Sequence, residues 1–179
     1  MRYLISAFLA LFATMAGAAP LSTAQQTALK AAAVADPVAN TYVQAGDDVA
    51  LATWFNADQP AYIVWRTSLT MDTIIQDVGF DFTRVDNLST GKARISEWMF
   101  RSGYIDPSKP NVRAGIDATW VGTAADLSVR ATIYALCKRS ASRAEMILAT
   151  GTGTTASPST MGFEGVLTYI DASNIRTLP

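Results

Sequence analysis

Eight residues separate Glu97 from Asp106. That pairing could set a proton donor against a second carboxylate if a cleft raised the pKa of one of them. Glu97 falls in mid-helix on a pattern whose apolar stripe is already well formed, and nothing beside it implies a cleft. A solvated helix glutamate is the expected role. Thr-Gly-Thr-Gly-Thr-Thr from Thr150 to Thr155 has the look of a phosphate cradle. It follows a helix, lacks the lysine of a phosphate-binding loop, and no helix opens behind it, so it reads as a linker. Asp47 and Asp48 read as a helix-capping pair, because no further carboxylates join them to hold a metal. Cys137 is the single cysteine and falls on an apolar stripe, as a buried and inert thiol would. Histidine is absent. That removes the commonest general base, the commonest zinc ligand and every Ser–His or Cys–His nucleophile pair. The residue types argue against an enzyme, and no catalytic residue, metal or cofactor is expected.

The cluster that does invite a function is basic. Arg130, Lys138, Arg139 and Arg143 line the polar side of one long helical pattern, with Arg113 nearby in sequence. Asp126 supports Arg130 at i,i+4, whereas Lys138, Arg139 and Arg143 meet no acid before Glu145. Such a face is solvated, forms salt bridges between subunits, or lies near DNA, since arginine forks match carboxylates and phosphates alike. The net charge of −1 gives no reason to expect sequence-specific DNA reading or attraction to an anionic membrane.

The elements that must position these residues read as mainly helical. Of 179 residues, 50% are hydrophobic and 16% charged, which suits one domain with its own core. Ser22 and Thr23 each precede a glutamine at capping-box spacing. An alanine-rich helix then runs from about Thr23 to Ala35, until Asp36-Pro37 stops it. Asp47 or Asp48 opens a second helix through Phe55. Ala61 to Arg66 is a short strand or the lead-in to a helix capped by Thr67 or Ser68, which runs through Gln76 and closes at Gly79. Residues 80–87 read as a loop with anchoring aromatics. An amphipathic helix covers Leu88 to Ser102 with Leu88, Ile95, Trp98 and Met99 on its apolar stripe. Pro110 starts another that reaches Trp120. The longest pattern runs from Ala124 to Leu148, about seven turns.

A loop rich in threonine, glycine and serine (150–160) and a strand-like tail from Met161 to Ile170 complete the chain. Phe163, Val166 and Tyr169 are the contact residues expected of that tail. The predicted fold is therefore mainly α: a single helical-bundle-like domain over residues 21–150, with a flexible loop and C-terminal β-strand or hairpin arm over 151–179. Removing 161–179 should then leave a folded core and impair assembly. Trp54, Trp65, Trp98 and Trp120 sit among apolar neighbours and read as core, with one or two of them open to a subunit contact.

Residues 1–20 carry two readings. A charged start, an apolar run from Tyr3 to Thr14 and small residues at Ala16 and Ala18 fit a secretory signal peptide, too short for a comfortable membrane span. Alternatively Met15 is the functional start and the residues before it are a mis-annotated extension.

Several segments resemble a family of small structural proteins of tailed bacteriophages and prophages. They are Leu21 to Lys30 (Leu-Ser-Thr-Ala-Gln-Gln-Thr-Ala-Leu-Lys), Trp65 to Thr67 (Trp-Arg-Thr), Val112 to Ala114 (Val-Arg-Ala), Arg143 to Glu145 (Arg-Ala-Glu), Ala149 to Gly153 and Met161 to Gly165. The likeness spans most of residues 21–178. It implies a virion component at the head–tail junction, a subunit of a homo-oligomeric ring that touches portal and tail proteins and lies close to DNA without reading it. It also implies structural or interface roles for Arg143 and Glu145, and a hinge after Ala149. A virion protein assembled in the cytoplasm has no use for export, which favours Met15 as the start and no membrane partner. The competing reading is an exported, periplasmic protein or a lysis enzyme. The spacing of Glu97 and Asp106 is similar to that of some phage lysozymes, but the threonine that follows in those enzymes would fall at Val112. Tail and capsid-decoration proteins share the virion class.

Overall fold

The computed structural model describes residues 20–179. The signal-like segment and Met15 lie outside the described residues. Mainly α is the observed class. The helices are α1 (Thr23–Ala35), α2 (Pro37–Ala45), α3 (Asp48–Asn56), α4 (Met71–Ile75), α5 (Thr83–Asp86), α6 (Thr90–Met99), α7 (Pro110–Thr119), α8 (Ala124–Leu136), α9 (Arg143–Leu148) and α10 (Tyr169–Thr177). The strands are β1 (Asp58–Trp65), β2 (Leu69–Thr70), β3 (Tyr104–Ile105) and β4 (Lys138–Ser142). β1 pairs antiparallel with β4, and β2 pairs with β3.

Caps set most helix starts. Ser22 and Gln25 exchange hydrogen bonds in the expected box at α1, and Asp47 caps α3. Asp36 does more than stop α1. Its carboxylate accepts from the N–H groups of Val38 and Ala39 and opens α2, with Pro37 in the first turn, where its missing N–H costs nothing. Gly46 closes α2 at φ 69°, a left-handed position that glycine takes without steric cost.

Two apolar clusters sit at the two ends of the β1–β4 ribbon. The first gathers Leu29, Leu51, Phe55, Ala144, Phe163, Leu167 and Ile175 from α1, α3, α9 and the C-terminal tail. The second gathers Trp65, Leu69, Ile74, Ile116, Trp120, Val129 and Ile133 from the end of β1 and from β2, α4, α7 and α8.

Three expectations are corrected here. The 25-residue helix is broken: α8 ends at Leu136, and Lys138–Ser142 is extended and paired with Trp65, Val64, Ile63, Gln59 and Asp58. The ladder outweighs helical propensity because it satisfies the polar backbone of β1, and Pro60 falls where the pairing is irregular between Gln59 and Ile63. The apolar periodicity seemed continuous because Ala141, buried on the strand, and Ala144, buried on α9, follow Cys137 at helix-like intervals.

The loop after Ala149 is not a free hinge. The Ile63 N–H donates to Gly153 O at 2.7 Å, the Ser159 N–H to Ile63 O at 2.9 Å and the Trp65 N–H to Ser159 O at 3.0 Å. The loop thus covers the second edge of β1. Gly153, at φ +68°, lies so close to the Tyr62 ring that a side chain would collide with it.

The tail is neither strand nor arm. Residues 161–167 run as coil and residues 169–177 form α10, which packs chiefly on α3. Ala172 and Ile175 are buried there. The physical signal is local: Thr168 and Asp171 form a reciprocal capping box.

Candidate subunit interface

The structure places the expected interface residues in two groups, one turned inward and one outward. Ser142 caps α9, and the Glu145 carboxylate returns the bond to the Ser142 N–H at 2.8 Å. Arg139, on the adjoining strand, grips the same carboxylate as a fork, with both N–H···O distances 2.7 Å. The Gly165 N–H donates to it at 3.3 Å. Glu145 is 3% exposed. This is an internal clamp joining β4, α9 and the tail, and Glu164 adds a second carboxylate to Arg139 at 3.1 Å.

The remaining basic residues are engaged as well. Arg143 donates to Trp54 O at 3.0 Å and lies over the Trp54 ring at 4.5 Å. Lys138 donates to Thr155 O and faces the Trp65 ring at 5.5 Å. Arg130 pairs with Asp117 at 3.5 Å. Arg113 donates to Pro107 O and Ser108 O and covers the other Trp65 contact at 4.7 Å. The expected basic helix face does not exist as one surface, because its members sit on α8, β4 and α9. Of the tail residues, Phe163 is core, while Val166 and Tyr169 are 68% and 59% exposed.

Carboxylates set against guanidinium groups dominate the electrostatics. Asp126 is held down at about 2, first by the Arg84 fork and then by the N–H and hydroxyl of Thr123. Asp48 is lowered mainly by its hydrogen bond from Arg176, against the effect of burial. Burial pushes the Glu145 carboxyl up, but the Arg139 fork and the Ser142 and Gly165 N–H groups together outweigh it and hold it below its ordinary value. Burial alone pushes the Cys137 thiol up to about 12, as an inert core thiol requires.

All three carboxylates bind protons less readily folded than unfolded. Their contribution is complete above the ordinary carboxylate values and is lost as pH falls through the folded ones. The urea midpoint should therefore stay level between about pH 7 and 5 and fall steadily below about pH 4.5. Asp126→Asn should reduce that slope, and an acid-insensitive midpoint down to about pH 3 would contradict the assignment.

Sequence reasoning missed the outward-facing chemistry. Trp98 was placed on the apolar stripe of its helix, yet it is 71% exposed. Of the expected stripe, Leu88 and Met99 do pack on the second cluster; α6 turns Ala93, Ser96 and Met99 inward, with Phe100 just after it, and contributes no fully buried residue. Arg94 and Trp98, both exposed, stand at i and i+4 on α6, and the exposed Arg101 follows in the turn after its last residue, a spacing legible in the sequence. Among the described residues, neither arginine has a carboxylate within ion-pair distance.

Beneath α6 opens an apolar cleft of about 260 Å³ walled by Ile74, Phe80, Phe82, Leu88, Phe100 and Trp120. Glu97 stands on its wall as the one ionisable lining residue. Asp106 is elsewhere engaged, accepting from the Ser108 N–H at 3.0 Å and pairing with Lys109 at 3.8 Å. A second hollow, of about 380 Å³, lies beside the clamp, lined by Asp58, Arg139, Glu145, Glu164 and Val166 among others.

The fold is a mainly α chain organised around a two-stranded ribbon, and its surface carries the apolar cleft beneath α6 and the separate hollow beside the Glu145 clamp. Comparison of the chain with family models, with curated proteins and with solved structures yields no match. Among the described residues, no helix is long and apolar enough to cross a membrane.

Proposed function

We propose that this chain is a non-enzymatic virion structural protein of a tailed bacteriophage, an adaptor subunit of the head–tail neck that works through contacts with its own copies and with portal and tail proteins. The sequence resemblance supplies the phage context. The observation that carries a role in assembly is the uncovered apolar surface beside the second cluster. There α6 leaves Trp98 in solvent, Phe82 is 57% exposed and Val85 42%, and the cleft below them is open. Phe82 and Val85 line that cleft, and exposed apolar surface of this kind marks a site for a partner. Trp and Arg, the residues α6 presents, are those that dominate binding energy at protein interfaces.

Native mass spectrometry and negative-stain microscopy of the purified chain test the reading directly. Closed oligomers, or incorporation into particles in the presence of portal, are expected. A chain that stays monomeric and binds neither portal nor particles would overturn it.

One observation favours a second reading. Glu97 lines the apolar cleft beneath α6, the kind of recess in which a carboxyl can meet a bound substrate. Muralytic activity abolished by Glu97→Gln would establish a lysis enzyme, and equal inactivity of both proteins supports the structural role.

A further inference from the structure

The outer face of α6 and the hollow beside Val166 have complementary chemistry. Arg94 and the exposed Trp98 on α6, with the exposed Arg101 in the turn just after it, bring two positive charges that have no ion-pair partner among the described residues. In the hollow, three carboxylates (Asp58, Glu145 and Glu164) meet one guanidinium, that of Arg139. Glu145 and Arg139 satisfy each other through the fork. Glu164 shares the same arginine at 3.1 Å, and Asp58 has no ion-pair partner among the described residues. The hollow is therefore acidic, and the exposed Val166 gives it an apolar lip.

We propose that the Arg94–Trp98–Arg101 face of one copy docks into the Asp58–Glu164–Val166 hollow of a second copy of this chain. The inference rests on the assembly reading above and specifies its contact. An indole entering beside Val166 removes both apolar groups from water. The flanking guanidinium groups then meet Asp58 and Glu164, in the arrangement of an aromatic anchor ringed by charge pairs. The two patches belong to different elements, α6 at the second cluster and the β1–β4–tail junction at the first. The contact is therefore head-to-tail, and repeating it produces a ring if the rotation closes and a filament if it does not. The choice of a second copy over DNA follows from the hollow itself, because an acidic recess on the same chain is the complement that the basic face lacks.

The test uses two single variants of the full chain, Trp98→Asp on the docking face and Val166→Lys on the hollow. Both positions are well exposed, so far-UV circular dichroism and melting should match wild type. Sedimentation at high protein concentration is expected to show an oligomer for wild type and association weakened roughly thirtyfold or more in each variant, the scale of losing an anchor tryptophan. An equimolar mixture of the two variants should form a dimer. In it the intact face of the Val166→Lys chain meets the intact hollow of the Trp98→Asp chain, with no free patches left to continue.

Variants that keep the wild-type oligomer would overturn this contact while leaving the assembly reading standing. A wild-type chain that stays monomeric would overturn both. If Trp98→Asp instead spared the oligomer and abolished retention of duplex DNA on a filter, the α6 face would be a DNA surface and the proposal wrong.

Discussion

Truncation after Thr160 is expected to destroy the cooperative packing of the first apolar cluster and the helices around it. The tail supplies Phe163, Leu167, Ala172 and Ile175 to that core, against Leu29, Leu51 and Phe55. Burying the three large side chains contributes about 5–8 kcal/mol, comparable with the roughly 5–15 kcal/mol that holds a whole domain together. The truncation also removes polar ties. Asn56 exchanges two hydrogen bonds with the backbone of Leu167, and Arg176 grips Asp48 at 2.7 Å. Circular dichroism of the truncated chain should show lost helix and a non-cooperative urea transition. A cooperative transition with near-native helix content would mean that the tail is an accessory. Read as an arm, the tail was expected to be dispensable for folding; the buried face of α10 reverses that expectation.

Removing the Glu145 carboxylate carries the second large effect. Glu145→Ala leaves the half-buried Arg139 guanidinium with Glu164 as its one carboxylate beside Ser140 O and Met161 Sδ, strips α9 of its reciprocal cap and frees the Gly165 N–H. Breaking a buried ion pair from one side costs about 3–5 kcal/mol, because the surviving charge stays desolvated. The thermal midpoint should fall by about 6–20 °C, since about 1 kcal/mol shifts Tm by roughly 2–4 °C for a domain of this size. A double-mutant cycle with Arg139→Met gives the sharper measurement. The double variant should recover part of the loss, as replacing both ions removes the uncompensated charge. Additive losses would show that Glu145 acts through its cap and not through the fork.

Much of the fold could be read from local chemistry. Ser22 with Gln25, Asp47 before α3, Pro110 in the first turn of α7 and Thr123 before α8 all mark helix starts where they are found. Two further signals of the same kind, Ser142 with Glu145 and Thr168 with Asp171, were present and outweighed by the apparent periodicity around them. A capping box in mid-pattern is a stronger sign than an alanine-rich rhythm. It satisfies orphan N–H groups that must otherwise find water, whereas alanine spacing fits strand and helix alike.

The site divides along the same line. Residue type suggested that Glu145 and the arginines would matter, but it could not say whether their partners were internal. By itself the sequence determined the mainly helical class, the starts of α1, α3, α7 and α8 and the lack of histidine chemistry, because composition and caps act over three or four residues. Only the tertiary structure decided that Lys138–Ser142 leaves the helix for β1, that the tail folds inward and that Trp98 faces water. Each of those outcomes depends on a backbone edge or apolar face supplied from far along the chain, where no local spacing records it.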